Sequence, residues 1–225
     1  VTQDIGLLSS GNVTVTVTDS NGCVTSNSDN VGSISCTPPV ANEDAFSTDY
    51  NTPLTATVGS NDTDPDGNNA TLQYFSDQLP TAAQGILTWG SDFDGSFTFT
   101  PTAGYAGTFT LTYFVFDVTG LKTVGHYTIT VGPHAINDSF GTPLNTVLSE
   151  TVTTNDIYEI GSTYTKVTNP SHGNVTFNSD GTFVYTPNTD YAGDDSFTYQ
   201  VCLPSPNATI CSSATVNLSV DGSAN

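Results

Sequence analysis

The chain has 225 residues and carries 22 acidic side chains against two lysines, for a formal net charge of −20 at neutral pH. This excess of negative charge repels phosphate backbones and anionic lipid surfaces, so it excludes nucleic acid as a partner and disfavours membrane association. The length predicts one to three domains. No apolar run is long enough to span a bilayer, and the first residues read as those of a mature or excised piece.

The N-terminal segment contains one clear strand pattern. Residues 12–18 alternate Val and Thr, which predicts a half-buried strand, and the Asn-Gly pair at 21–22 predicts the turn after it. The segment has Gly11, then alternating Val and Thr, then Asn-Gly-Cys at 21–23. This order resembles the last strands of a repeat in giant Bacteroidota surface adhesins, including those of gliding motility. The resemblance implies that residues 1–39 are the C-terminal part of a β-sandwich plus a Pro linker. We expect upstream residues to complete this sandwich, and a neighbouring copy is the alternative.

After this linker the chain repeats itself with a period of roughly 90 residues, which suits one β-sandwich per repeat. The opening at 40–46 returns at 134–140, and the Asp-Gly-x-Phe-x-x-x-Pro run at 94–101 returns at 180–187. We therefore predict repeat one at 40–132 and repeat two at 133–225. Each contains about seven short runs typical of β-strands.

Both repeats resemble the bacterial cadherin-like and immunoglobulin-like (Ig-like) tandem domains of large secreted adhesins. The shared features are the Asn-Asp opening, the N-D-x-D-x-D-G loop, the D-G-x-F-x-Y-x-P turn and the Y-x-G-x-D-x-F-x-Y strand. The resemblance implies an all-β fold of tandem Greek-key sandwiches and an extracellular, cell-surface location. It also implies a structural or adhesive role in an array or filament, with neighbouring repeats or subunits, surface glycans or proteins as partners.

The loop at 61–67 carries three carboxylates at alternate positions, closed by a glycine. Oxygens spaced in this way can converge on a hard cation, which makes calcium the expected cofactor. The loop is not an EF-hand, because Gln73 stands near the position where a glutamate is required. The alternative interpretation is a solvated acidic turn.

Greek-key connectivity places further acids at the same end of repeat one. The predicted calcium ligands are Asn42, Asp44, Asp62, Asp64, Asp66, Asp94 and Asp117. In repeat two Leu203 replaces the last of these, and Ile157-Tyr158-Glu159 replaces the acidic part of the loop. A strong calcium site is therefore expected in repeat one alone.

Four cysteines in an acidic, arginine-free chain indicate disulfides in an oxidising exterior. Cys202 and Cys211 flank a predicted hairpin loop and are expected to pair. Cys23 and Cys36 can form a second hairpin bridge. Alternatively, Cys23 pairs with a cysteine upstream of Val1, as the adhesin resemblance suggests.

No pattern in the sequence predicts an active site. His126, His134 and His172 are spread over separate predicted elements, and the acids gather at a domain tip rather than across a cleft. We expect a structural, non-enzymatic module. The alternative is an accessory carbohydrate-binding pair of a secreted enzyme, with the lone tryptophan, Trp89, as either a sugar platform or a core residue.

Strand 109–116 shows one unusual feature. Its alternation points Leu111, Tyr113 and Val115 inward and leaves Phe114 and Phe116 on the outer face. Two aromatic rings on the solvent-facing side of a sheet predict a patch for lateral contact with a filament strand or a ligand, unless a loop or the stem of Lys122 covers them.

Overall fold

A computed structural model of the chain describes residues 37–66 and 69–222, together with the backbone of two further strands. These are β1 (Val15–Thr18) and β2 (Val24–Asn27), which pair antiparallel as a hairpin. Cys23 and Cys36, and with them the predicted second bridge, lie outside the described residues.

Repeat one contains seven strands in two sheets. The four-stranded sheet has the order β3-β9-β8-β5 and the three-stranded sheet has the order β4-β7-β6. The strands are β3 (Asp44–Thr48), β4 (Leu54–Thr57), β5 (Gln73–Phe75), β6 (Gly85–Trp89), β7 (Ser96–Pro101), β8 (Gly107–Phe116) and β9 (Lys122–Val131). Strand β3 runs parallel to β9, and the other pairs are antiparallel. Two 3-10 turns, Val58–Ser60 and Asn69–Thr71, lie between β4 and β5.

Repeat two has the same arrangement, with sheets β10-β16-β15-β12 and β11-β14-β13. Its strands are β10 (Asp138–Pro143), β11 (Leu148–Thr151), β12 (Thr163–Lys166), β13 (Gly173–Phe177), β14 (Thr182–Pro187), β15 (Gly193–Cys202) and β16 (Cys211–Asp221). The parallel pairing of the first strand with the last recurs between β10 and β16. The prediction of tandem all-β Greek-key sandwiches is confirmed.

Strand alternation builds a separate core in each sandwich, because every second residue faces the opposite sheet. Phe97, Tyr113 and Tyr127 are almost fully buried in repeat one, and Phe183 and Tyr199 in repeat two.

Trp89 is half-buried and packs against the core of repeat one, which favours the second of the two interpretations. Its ring packs against Phe97 and Tyr127, with centroids 5.9 and 6.1 Å apart. Within the part of the chain described, no helix is long and apolar enough to cross a membrane.

Candidate calcium site and the buried carboxylate networks

The first residues of repeat one and the loop after β4 meet at a buried carboxylate. Asp62 is 6% exposed, and its Oδ1 accepts a 2.7 Å hydrogen bond from the backbone N–H of Asn42. The hydroxyl of Tyr113, from β8, lies 2.9 Å from Asp62 Oδ2 and 3.1 Å from the Asn42 carbonyl oxygen. The tyrosine therefore ties the domain entry to the loop across the interior.

Asp44 lies beside this carboxylate, and burial is the main cause that raises the pKa of Asp44 to about 6. The negative charge of Asp62 raises it further, and a hydrogen bond from Asn61 opposes both effects. Burial also raises the pKa of Asp62, against hydrogen bonds from Asn42 and Tyr113. Two carboxyl groups so close together favour a state in which one of them keeps its proton.

Repeat two contains the same network with different residues around it. Asp156 Oδ1 accepts a 2.7 Å hydrogen bond from the N–H of Ile136. The hydroxyl of Tyr199 lies 3.0 Å from both oxygens of Asp156 and 3.1 Å from Asp138 Oδ2. Burial raises the pKa of Asp138 to about 6. Because repeat two lacks the acidic loop, this arrangement can form without that loop.

The remaining loop acids occur in repeat one alone. Asp64 is 6% exposed and its N–H donates to the side-chain oxygen of Asn69, while its Oδ1 accepts a 2.9 Å bond from the N–H of Asp66. Asp66 Oδ2 in turn accepts a 2.7 Å bond from the N–H of Thr37. These bonds fold the loop inward and connect it to the entering chain.

Asp117 follows β8 and has one oxygen with no partner. Its Oδ1 accepts from the N–H groups of Thr119 and Leu121, at 2.8 and 2.9 Å, and from the Thr119 hydroxyl. The residue is only 6% exposed, and its Oδ2 is buried without a hydrogen-bond partner. A buried carboxylate oxygen without a donor is costly, and a hard cation is the ligand that would satisfy it. Asp117 Oδ2 is therefore one candidate cation ligand.

Asp94 behaves differently from the loop acids. It is exposed, and hydrogen bonds from the side chain of Ser96 and from its N–H, 2.9 Å from Asp94 Oδ1, lower its pKa. Asp180 makes the same bond to Thr182 in repeat two, where the acidic loop is missing. The shared geometry gives this carboxylate a role in its own hairpin turn.

Over residues 37–66 and 69–222, no three His, Cys, Asp or Glu side chains are grouped closely enough to hold a metal ion between them. The seven predicted ligands thus separate into a buried network (Asn42, Asp44, Asp62), a turn residue (Asp94) and the acids found only in repeat one (Asp64, Asp66, Asp117). The calcium set stays a prediction.

The sequence-based interpretation missed Tyr113, Tyr199 and Asn69. The tyrosines occupy the same inward position of the sixth strand in each repeat, and this shared position was a usable signal. Asn69 gave no signal, because its contact with Asp64 depends on the folded loop.

Residues 37–133 match the bacterial cadherin-like domain, and residues 131–219 match the bacterial Ig domain. The chain is a tandem of these two domain families. Repeat one is the cadherin-like domain and repeat two is the Ig domain. A comparison with curated proteins finds no match.

Solved structures resemble the tandem in fold only. An endo-fucoidan hydrolase of glycoside hydrolase family 107 is 19% identical (96% of this chain, 35% of that chain, TM-score 0.32). An I-band fragment from titin is 16% identical (83% and 66%, TM-score 0.40). The extracellular domain of protocadherin GammaB4 is 16% identical (81% and 34%, TM-score 0.35). The chain thus spans about a third of the hydrolase.

The predicted disulfide of the Ig domain is present. Cys202 and Cys211 are bonded at 2.01 Å and face each other across β15 and β16. Leu203, which follows at the position of Asp117, is 1% exposed. The Ig domain therefore has a covalent bond and an apolar anchor at the end where the cadherin-like domain has its unpaired carboxylate.

Phe114 and Phe116 lie on the outer face of the cadherin-like domain, as the alternation predicted. Their ring centroids are 6.4 Å apart, and Lys122 Nζ lies 4.7 Å from the centroid of Phe114. Phe75 and Val124, on the flanking strands, are 51% and 47% exposed. Lys122 covers part of one ring, and an apolar patch remains open around it.

Proposed function

We propose that this tandem is a structural and adhesive segment of an extracellular bacterial surface protein, in which domains joined end to end form a stalk or filament. Two sandwiches in series, a disulfide suited to an oxidising exterior and a net charge of −20 support this role. The charge keeps an extended array soluble and discourages nonspecific association.

We also propose calcium as the cofactor of the cadherin-like domain. The observation that carries this proposal is the buried, unpaired Oδ2 of Asp117, at a position where the Ig domain has Leu203. Asp64 and Asp66 would join Asp117 only if binding draws the loop after β4 closer, because the three carboxylates are not grouped in the described residues. Calcium would neutralise these carboxylates and stiffen the junction with the preceding segment, because Asp66 contacts Thr37 at the domain entry.

Calcium removal should destabilise the cadherin-like domain selectively. Trp89 is the only tryptophan and lies in this domain, so its fluorescence reports unfolding of the cadherin-like domain alone. At free calcium about 100-fold above Kd, binding contributes about 2.7 kcal/mol, and EDTA should then lower the Trp89 transition by about 10 °C or more.

Asp64→Ala and Asp117→Asn should reproduce most of this loss in the presence of calcium. The exposed Asp77→Ala is the charge-matched control and should retain the calcium response. A Trp89 transition that is the same in calcium and in excess EDTA would contradict the calcium proposal.

The outer aromatic patch is the proposed site of lateral adhesion. Phe114→Ser combined with Phe116→Ser should abolish bundling or adhesion, because the patch loses its apolar surface. Both rings lie outside the core, so the loss of the cation–π contact should cost about 1 kcal/mol or less. Bundling by light scattering and Tm by calorimetry measure the two effects. Unfolding of the double variant would show that the rings support the core instead.

A further inference from the structure

The loop 203–210 of the Ig domain is held rigidly at its base. The Cys202–Cys211 disulfide closes it, and the N–H of Leu203 donates to the carbonyl of Ile210 at 3.1 Å. Inside the loop, the N–H of Asn207 donates to the carbonyl of Pro204 at 2.9 Å. The matching turn of the cadherin-like domain, 117–121, is shorter.

This loop reaches the cadherin-like domain. Asn207 Nδ2 lies 2.9 Å from the hydroxyl oxygen of Thr108 and 3.5 Å from that of Thr130. The two threonine hydroxyls lie on the neighbouring strands β8 and β9, with their oxygens 3.1 Å apart, and both accept from the Asn207 amide. Asn207 itself is half-buried.

Apolar contact accompanies this hydrogen bond. Ile210 packs beside Gly132, so closely that a Cβ added at Gly132 would lie 3.4 Å from Ile210 Cγ2. Ile210 also shares a surface depression with Thr48 and Asp49, at the end of β3. The loop therefore contacts the end of β3, the start of β8 and the end of β9 in the cadherin-like domain.

Two other segments of the Ig domain contact the same end. The ring of His134 stacks on that of Tyr50, with centroids 4.5 Å apart and planes 5° from parallel. Glu159 lies against the start of β8, where a Cβ at Gly107 would be 3.3 Å from Glu159 Cδ. His134 is itself fixed by paired backbone bonds to Ile157, at 2.8 and 2.9 Å.

We infer that loop 203–210 is a docking element that fixes the Ig domain against the cadherin-like domain, so that this junction is rigid without calcium. Linked domains move relative to each other unless an interface holds them, and here three segments of one domain contact one end of the other. None of the proposed calcium ligands takes part in these contacts.

Residual dipolar couplings of the full 225-residue chain in EDTA test this inference. One alignment tensor should fit the backbone amides of both domains. Asn207→Ala combined with Ile210→Ser should abolish this shared alignment and give two tensors of different magnitude, while the couplings within each domain still fit its own structure. Thr209→Ala, an exposed change in the same loop, should keep the single tensor.

Two tensors in the unaltered chain, or a single tensor in the double variant, would overturn the inference. EDTA is present throughout, so the outcome is independent of whether calcium binds the cadherin-like domain. The internal couplings of each domain show whether the double variant remains folded.

Discussion

Replacing Tyr199 with phenylalanine should lower the free energy of unfolding of the Ig domain by about 2–4 kcal/mol, because the change removes a buried hydroxyl donor that Asp138 and Asp156 share. The hydroxyl lies within 3.1 Å of both Asp138 and Asp156, which are 6% and 7% exposed. The lost oxygen atom itself is small, so the expected penalty comes from the groups that remain.

Tyr158→Phe is the matched control for this experiment. Tyr158 is 39% exposed and belongs to the same domain, so loss of its hydroxyl should change the stability little. Urea titrations followed by amide resonances of residues 138–221 separate the Ig domain from the cadherin-like domain, whose unfolding Trp89 reports. Equal stabilities for the two variants would show that the Tyr199 hydroxyl does not support the carboxylates.

Strand positions were predictable from the sequence because alternation and turn residues act locally. The expected strand near 109–116 matches β8, and Phe114 and Phe116 face outward as expected. The disulfide was predictable for the same reason, since two cysteines flanking a hairpin loop are held close by the strand pairing itself.

The candidate site was less predictable, because side chains at the same end of a sandwich do not have to lie close enough together to bind one ion. Asp62 and Asp94 carry the same charge and lie on loops expected to meet, yet one accepts from a tyrosine in the interior and the other from its own turn. A strand pattern shows that Tyr113 is buried. It does not show that its hydroxyl reaches a carboxylate 51 positions away.

The two domains differ in some of their buried carboxylate contacts and share others, which separates features of the common fold from features of one domain. In both domains a buried tyrosine hydroxyl bonds the carboxylate of the loop after the second strand, Asp62 or Asp156, and only in the Ig domain does it also bond the carboxylate of the first strand, Asp138. Only the cadherin-like domain has the unpaired Asp117 oxygen, and only the Ig domain has a long, disulfide-closed loop at the same place. The two ends therefore point to two ways of joining neighbours, one by an ion and one by direct contact.

The Ig domain should become more stable as the pH falls from about 7.5 to about 5, in the direction opposite to that of a salt-bridged aspartate. Burial raises the folded-state pKa of Asp138 from 3.8 to about 6. The folded domain therefore binds this proton more tightly than the unfolded chain does. Stability is lost as the pH rises through the folded-state pKa, because a buried carboxyl must then ionise beside Asp156.

Asp138→Asn should reduce this pH dependence to the part that comes from the raised pKa of Asp156, and it should raise the stability of the Ig domain at about pH 7.5 by about 1–3 kcal/mol. The amide keeps the shape of the carboxyl and needs no ionisation beside Asp156, Tyr199 and Tyr164, while His134 contributes the nearby positive charge when protonated. Asp221→Asn changes the net charge equally at an exposed position and controls for general repulsion. Urea titrations at several pH values measure the slope. An Asp138→Asn slope equal to that of the unaltered chain would show that Asp138 does not take up a proton in the folded domain over this pH range.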